Sequence, residues 1–231
     1  MNNNQNLENI PLQHNSENIS ENKENFSNLA TPTFSINKRD SNNNEKLINL
    51  DKFYNHSLDD DIHNKKGNNL SSLPKGLQRF GNILFDIRGV VQLAGTNSEE
   101  ITHLIYPKEA KDIEINQKAY KIHFLQASSW NIEAPKKLIG KYIVYFENKS
   151  AIEINLIYEE NIWDWWGHNL SSSNETPIWK GSNERTEERN MHIRLFKFTW
   201  ENPFPDSKII KLDFVSNING PGPFLVALTI E

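Results

Sequence analysis

The stretch KYIVYFENKSAIEINLIYEE, from Lys141 to Glu160, decides the fold class of this chain. Large apolar residues occupy alternate positions on both sides of the polar turn ENKS: Tyr142, Val144, Phe146, Ile152, Ile154 and Leu156. Successive side chains of a strand point to opposite faces of a sheet, so a period of two indicates half-buried strands. The stretch therefore predicts a β-hairpin.

Apolar residues recur at strand spacing on both sides of this hairpin. The segments are ILFDIRGVVQLAG (residues 83–95), AYKIHFLQA (119–127), MHIRLFKFTW (191–200), KIIKLDFVS (208–216) and PFLVALTIE (223–231). Gly89 interrupts the first segment, which predicts either two short strands or one strand with a bulge. The last segment is apolar enough to be a central strand. Many short strands without a long helical period predict an all-β fold, a jelly-roll β-sandwich of about eight strands.

Two segments depart from the strand pattern. SEEITHLI, from Ser98 to Ile105, predicts a helical turn with Ser98 as its N-cap. The polar stretch from Asn55 to Leu73 contains glycine and several asparagines, and it predicts a surface loop.

The composition changes near residue 46. The first 46 residues contain 14 asparagines, and their only aromatic residues are Phe26 and Phe34. So little apolar surface cannot offset the entropy lost when a backbone is ordered. We therefore predict a disordered, Asn-rich tail over residues 1–46 and one β-sandwich domain over residues 47–231.

The residue types exclude several kinds of site. The chain has no cysteine, which rules out thiol catalysis, disulfides and cysteine-ligated zinc. Its seven histidines show no HExxH spacing, and the acids of SLDDDIH, residues 57–63, lack the spacing of an EF-hand loop. We expect no metal site and no cofactor.

Charge and hydropathy limit the partners. A net charge of -5 argues against nucleic acid, because phosphate binding needs clustered lysine and arginine. No run approaches the roughly 18 apolar residues of a membrane span. The N-terminus MNNNQNLENIPLQ lacks the basic start and the apolar stretch of a signal peptide. These features predict a cytoplasmic protein without a membrane span.

Three segments carry a resemblance to a known family: LPKGLQRFGNILFDIRGVVQL, YEENIWDWW, and LFKFTWENPFPDSKIIKLDFVSNINGPGPFLVALTIE. The chain resembles an uncharacterised bacterial domain that is similar to galactose-binding-like β-sandwiches of the discoidin and NPCBM type. The resemblance covers roughly residues 47–231. It implies an eight-stranded jelly roll that binds glycans, lipids or proteins through loops at one end. It implies binding rather than turnover.

The main candidate site is IYEENIWDWWGHN, from Ile157 to Asn169, which holds three of the six tryptophans. An indole face packs well against the C–H face of a sugar ring, while polar side chains fix the hydroxyl groups. The candidate ligand-binding residues here are Trp163, Asp164, Trp165, Trp166, His168 and Asn169. In an extended backbone Trp163 and Trp165 would share a face, with Trp166 on the other. The favoured alternative is that at least two of these rings plug the end of the sandwich.

Three other residues are secondary candidates for ligand contact. Arg88 lies two positions after Asp86 in a strand, where a structural ion pair is favoured over a ligand contact. Trp200 and Asn202 in TWENP lie at a strand end, which suits a binding loop and a corner plug equally well.

These observations favour a non-catalytic module that recognises carbohydrate through aromatic and polar loop residues. The alternative is a protein-interaction or scaffolding domain whose Asn-rich tail acts as a tether. A glycoside-active enzyme is disfavoured, although Glu159, Glu160 and Asp164 supply carboxylates, because nothing marks two of them as a facing pair. We predict a glycan or another protein as the partner and no catalytic residue.

Overall fold

The computed structural model describes residues 36, 39, 44, 46–130, 136–168 and 176–231, all within the compact unit Phe34–Glu231. Most of the predicted tail therefore lies outside the described residues. Described members of that segment contact the domain. Ile36 packs partly buried against the core, Arg39 lies 3.3 Å from the carboxylate of Asp86, and the Lys46 carbonyl accepts the Ile230 amide at 2.9 Å. The boundary at residues 46 and 47 stays a prediction.

About half of the described residues lie in strands, and two short α-helices are present. The strands are β1 His56–Ser57, β2 Gly76–Phe80, β3 Ile83–Ile87, β4 Gly89–Gln92, β5 Glu109–Gln117, β6 Lys121–Ser129, β7 Leu138–Phe146, β8 Ala151–Ile157, β9 Trp166–His168, β10 Trp179–Gly181, β11 Met191–Glu201, β12 Ile209–Ser216 and β13 Gly222–Ile230. The helices are α1 Thr96–Thr102 and α2 Glu184–Glu187, and a 3-10 turn covers Ile62–Asn64.

The strands assemble into two antiparallel sheets and a separate hairpin. The large sheet has seven strands in the order β1-β4-β13-β6-β11-β10, with β9 also paired to β11. The small sheet has the order β5-β12-β7-β8, and β2 pairs with β3. The predicted hairpin is β7 and β8, and the predicted central strand is β13, between β4 and β6.

The two sheets face each other across an inner core. The ring of Phe124 on β6 stacks on Tyr142 of β7 with centroids 4.1 Å apart, and Tyr142 stacks on Phe214 of β12 at 4.8 Å. The buried hydroxyl of Tyr142 donates to Oε1 of Gln126 at 2.7 Å, so its polar atom is satisfied inside the core. Each such ring contributes about 2 kcal/mol through burial. The all-β sandwich prediction is confirmed.

The other face of the large sheet is covered by a second apolar layer, the outer core. Leu58, Ile62, Leu70 and Leu73 are buried against Leu125 and other side chains of this face. The segment from Asn55 to Leu73 is a loop apart from β1 and the 3-10 turn, but its predicted place at the surface was wrong. These apolar residues have no helical or strand period, so the polar residues between them dominate the pattern. As a result β6 and β13 are buried on both faces.

Two local differences from the predictions have physical causes, and one open alternative is resolved. The strand β5 was not predicted, because its apolar residues do not alternate regularly. Asp112, at φ 62°, lies at a register shift against β12 and interrupts the pattern. Helix α1 begins after Gly95, and Ser98 lies inside it with its hydroxyl donating to the Gly95 carbonyl, so Ser98 is not the N-cap. Of the two predicted alternatives the structure has two short strands, since β3 ends at Ile87 and β4 begins at Gly89, where a Cβ would meet the Tyr54 ring at 2.8 Å.

Candidate functional site

The segment from Trp163 to His168, which we call the tryptophan rim, is fastened between β6 and β11. The Ser128 amide donates to the Trp163 carbonyl at 2.8 Å, and the Trp165 amide donates to the Ser128 carbonyl at 2.9 Å. Beyond this point the chain forms β9, whose Trp166 pairs with Ile193 of β11. Backbone hydrogen bonds to two neighbouring strands therefore fix the position of the rim.

The three indole rings of the rim have different exposures. Trp165 is buried and packs edge-on against Phe224 at 6.1 Å. Trp163 is half-buried, with its ring 5.0 Å from that of Phe196. Trp166 is also half-buried, and its Nε1 donates to Asn68 at 3.1 Å. All three pack against the outer core, and the chain bends at Trp165, so the extended backbone on which the predicted split of Trp166 depended is not present.

The polar residues of the rim are placed in two ways. Asp164 is buried; its carboxylate accepts the Trp166 amide at 2.8 Å, and its carbonyl accepts from Nε of Arg194 at 3.0 Å. Asp164 therefore shapes the bend between the tryptophans. His168 is exposed at the end of β9, whereas Asn169 lies outside the described residues. Of the polar candidates that the structure describes, His168 is the one placed at the surface.

Behind the rim lies a group of buried rings that the sequence analysis did not select. The His63 ring is 5.4 Å from that of Trp130 and 6.5 Å from that of Trp165. Among the described residues, three buried atoms of this region have no hydrogen-bond partner: Nε2 of His63, Nε1 of Trp130 and Oγ of Ser128. His63 was missed because it lies in the polar stretch interpreted as a surface loop.

Burial dominates the titration of this ring group. It lowers the pKa of His63 to about 3, and the neighbouring His56 and Lys65 add to the effect. Burial also raises the pKa of Tyr106 to about 12, opposed by a hydrogen bond from the His63 backbone. His63 and Tyr106 are therefore both neutral at pH 7.

Arg88 belongs to a structural ion-pair network. Its side chain is buried, with Nε 3.2 Å from the Asp86 carboxylate, and it pairs also with Asp51. Asp86 in turn contacts Arg39 at 3.3 Å. The favoured prediction of an ion pair between Asp86 and Arg88 agrees with this geometry.

Trp200 and Asn202 lie at the far end of β11. Ile193 and Trp200 are separated by roughly 23 Å along the strand, at about 3.3 Å per residue, so Trp200 is not part of the rim. Trp200 is half-buried against the inner core. The Asn202 amide donates to the Ala119 carbonyl at 2.8 Å, and its side-chain oxygen accepts the Phe204 amide at 2.9 Å. Asn202 thus has the contacts of a corner residue.

The acidic candidates make local contacts. Within residues 57–63, Asp60 accepts the Ser57 amide at 2.6 Å and Asp61 accepts the Gly67 amide at 2.8 Å. Glu159 and Glu160 are exposed in the turn after β8, while Asp164 is buried. In the part of the chain that the structure describes, no group of three or more histidine, aspartate or glutamate side chains is arranged to hold a metal ion.

A cleft of about 530 Å³ opens at the other end of the outer face, between β6, β11, β13 and the β2–β3 hairpin. We call it the basic cleft, because four cationic side chains line it: Lys46, Arg79, Lys121 and Lys197. His123 lies buried on its floor and contacts Thr199 and Glu231. No local sequence pattern indicates this cleft, since its residues come from distant segments.

No family model, curated protein or solved structure matches this chain. The resemblance to galactose-binding-like modules therefore stays a prediction, as does the cytoplasmic location. Within the described ranges, none of the helices has the length and apolar character needed to cross a bilayer.

Proposed function

We propose that this domain is a non-catalytic binding module that recognises carbohydrate at the tryptophan rim. The observation that carries the proposal is the partial exposure of two anchored indoles, Trp163 and Trp166, beside the exposed His168. An anchored ring loses little conformational freedom when a sugar packs on it, which favours binding.

Neighbouring contacts hold these rings in place before any ligand arrives. The ring of Trp163 packs against Phe196, and the indole N–H of Trp166 donates a hydrogen bond to Asn68. The Arg189 guanidinium lies 5.7 Å from the Trp166 ring centroid and is exposed. Arginine and imidazole groups beside an aromatic face provide the hydrogen bonds that orient sugar hydroxyls.

The carboxylates near the rim support binding rather than turnover. Glycoside hydrolysis needs two carboxyl groups on either side of one bond, roughly 5 to 10 Å apart. Asp164 is buried and accepts the Trp166 amide, which gives it a structural role in this proposal. Glu160 lies exposed in the turn that precedes the rim.

The test is a glycan array followed by fluorescence titration of each glycan that binds. We expect Trp163→Ala to weaken binding about tenfold or more, because the ring supplies most of the apolar contact. The matched control is Trp200→Ala, which removes another half-buried tryptophan at the far end of β11 and should leave binding unchanged.

Two results would overturn the proposal: no glycan bound at high micromolar protein, or equal loss of binding in both variants. A protein partner that is captured despite glycan competition would instead favour the interaction or scaffolding function.

A further inference from the structure

The basic cleft concentrates positive charge in an acidic chain. The chain has a net charge of -5, yet the cleft is lined by four cationic side chains and one carboxylate, that of Glu231. Lys121 is partly neutralised by Glu201, 3.3 Å away. Among the described residues, no acidic side chain pairs with Lys46, Arg79 or Lys197. Counted over the described side chains, the cleft therefore holds a surplus of about two positive charges.

The floor of the cleft is a fixed row of polar side chains across three strands. Thr199, His123 and Thr229 are register partners on β11, β6 and β13. His123 Nδ1 lies 2.9 Å from the Thr199 hydroxyl, and Nε2 lies 3.1 Å from the Glu231 carboxylate. The Thr229 hydroxyl donates to the Leu84 carbonyl at 2.7 Å, which ties the β2–β3 hairpin to the floor.

These bonds turn the Glu231 carboxylate toward His123. Burial lowers the pKa of His123 despite the nearby carboxylate, so the ring is neutral at pH 7. A neutral ring facing a carboxylate through Nε2 carries its proton there, which leaves Nδ1 to accept the Thr199 hydroxyl. The one acid of the cleft is thus already hydrogen-bonded, while Arg79 and Lys197 keep N–H donors for a ligand.

We propose that the basic cleft binds a small oxyanion group with about two negative charges, of the phosphate or dicarboxylate kind. The charge surplus matches such a group, and its N–H donors form the strong, charge-assisted type of hydrogen bond with anionic oxygens. A volume of about 530 Å³ is within the usual range for small-molecule sites.

This site is separate from the one in the proposed function. His123 lies near one end of β6, whereas the rim is hydrogen-bonded to Ser128 near the other end, roughly 17 Å away at about 3.3 Å per residue. Failure of glycan binding at the tryptophan rim would leave the oxyanion proposal intact, and the reverse is also true.

The experiment is calorimetric titration of the full chain with inorganic phosphate and, separately, with succinate, at an ionic strength held constant with chloride. The cleft variant is Arg79→Gln with Lys197→Gln. The control is Lys66→Gln with Lys149→Gln, which removes the same charge from exposed positions outside the cleft. We expect at least about tenfold weaker binding in the cleft variant and less than about twofold change in the control.

The same titration followed by NMR locates the ligand. The ring resonances of His123 should shift, while those of His168 should not. Binding of phosphate alone identifies a phosphate group, and binding of succinate alone identifies a dicarboxylate. If neither anion binds, or if both double variants lose affinity equally, the proposal is wrong. Thermal unfolding of each variant shows whether a loss of binding reflects a loss of folding.

Discussion

The outer face of the large sheet has a different kind of surface at each end. At the tryptophan rim, His63 is buried among aromatic rings, and Nε2 has no hydrogen-bond partner within the described residues. At the basic cleft, His123 is equally buried, yet both ring nitrogens have partners. Burial lowers the pKa of both rings. Two histidines with the same burial can therefore differ in their contribution to folding stability, because their hydrogen bonds decide the free energy lost when the side chain is removed.

The largest loss of folding stability should come from a substitution at the tryptophan rim. Trp165→Ala empties a buried site between Phe224 and His63, and it should lower the free energy of unfolding by about 3–5 kcal/mol. Urea unfolding measures this loss. Trp163→Ala is the internal control, since its half-buried ring should cost distinctly less. A loss below about 1 kcal/mol for Trp165→Ala would show that the rim is not part of the outer core.

At the basic cleft, His123→Phe replaces the imidazole with an aromatic ring that has no nitrogen atoms. The Thr199 hydroxyl then loses its partner, and the expected loss of unfolding free energy is about 1–3 kcal/mol. Urea unfolding at pH 7 measures it, with the exposed His168→Phe as a control that should change little. An unchanged stability in His123→Phe would mean that the hydrogen-bonded chain contributes nothing to the fold.

The pH dependence should report His63. Its folded-state pKa of about 3 lies below the ordinary 6.5, so between these values the unfolded chain takes up a proton that the folded chain does not. Stability is fully present above pH 6.5 and falls by about 1.4 kcal/mol per unit as the pH drops through this window.

His63→Phe removes this proton uptake. From pH 6 to pH 4 the variant should therefore gain about 1.4 kcal/mol per unit relative to the unchanged protein. Urea unfolding of both proteins at several pH values gives the slope, and any fixed cost of the substitution appears as a constant offset. Parallel stability curves would contradict the depressed pKa.

The smallest effect should come from Thr199→Val, which removes one hydrogen bond of the floor and should cost about 1 kcal/mol. The same change made in the His123→Phe background should cost less, because the partner is already absent. Equal costs in both backgrounds would show that Thr199 and His123 are not coupled.

Regular alternation made the inner half of the sandwich predictable. The hairpin β7–β8 follows from its residue pattern, since a strand with one buried face must place apolar residues at every second position. The central strand β13 follows instead from its nearly continuous apolar run, as expected for a strand buried on both faces. The bulge at Asp112 hid β5 from the same rule.

The candidate site was predictable only in part. The tryptophan cluster is obvious in the sequence. The directions in which its rings point depend on the bend shaped by Asp164 and on backbone hydrogen bonds to β6 and β11. Trp200 and Asn202 are separated from it because β11 is extended. His63 and Trp130, which lie behind the rim, come from segments without a local pattern.

The local period of side chains along the backbone was enough to specify the hairpin, the regular strands and the apolar faces that close the sandwich. The tertiary structure alone decided which rings are buried at the rim and which cations meet in the cleft. Those groups come together through the strand order β4-β13-β6-β11 and the packing of residues 58–73, which are set by contacts between distant segments.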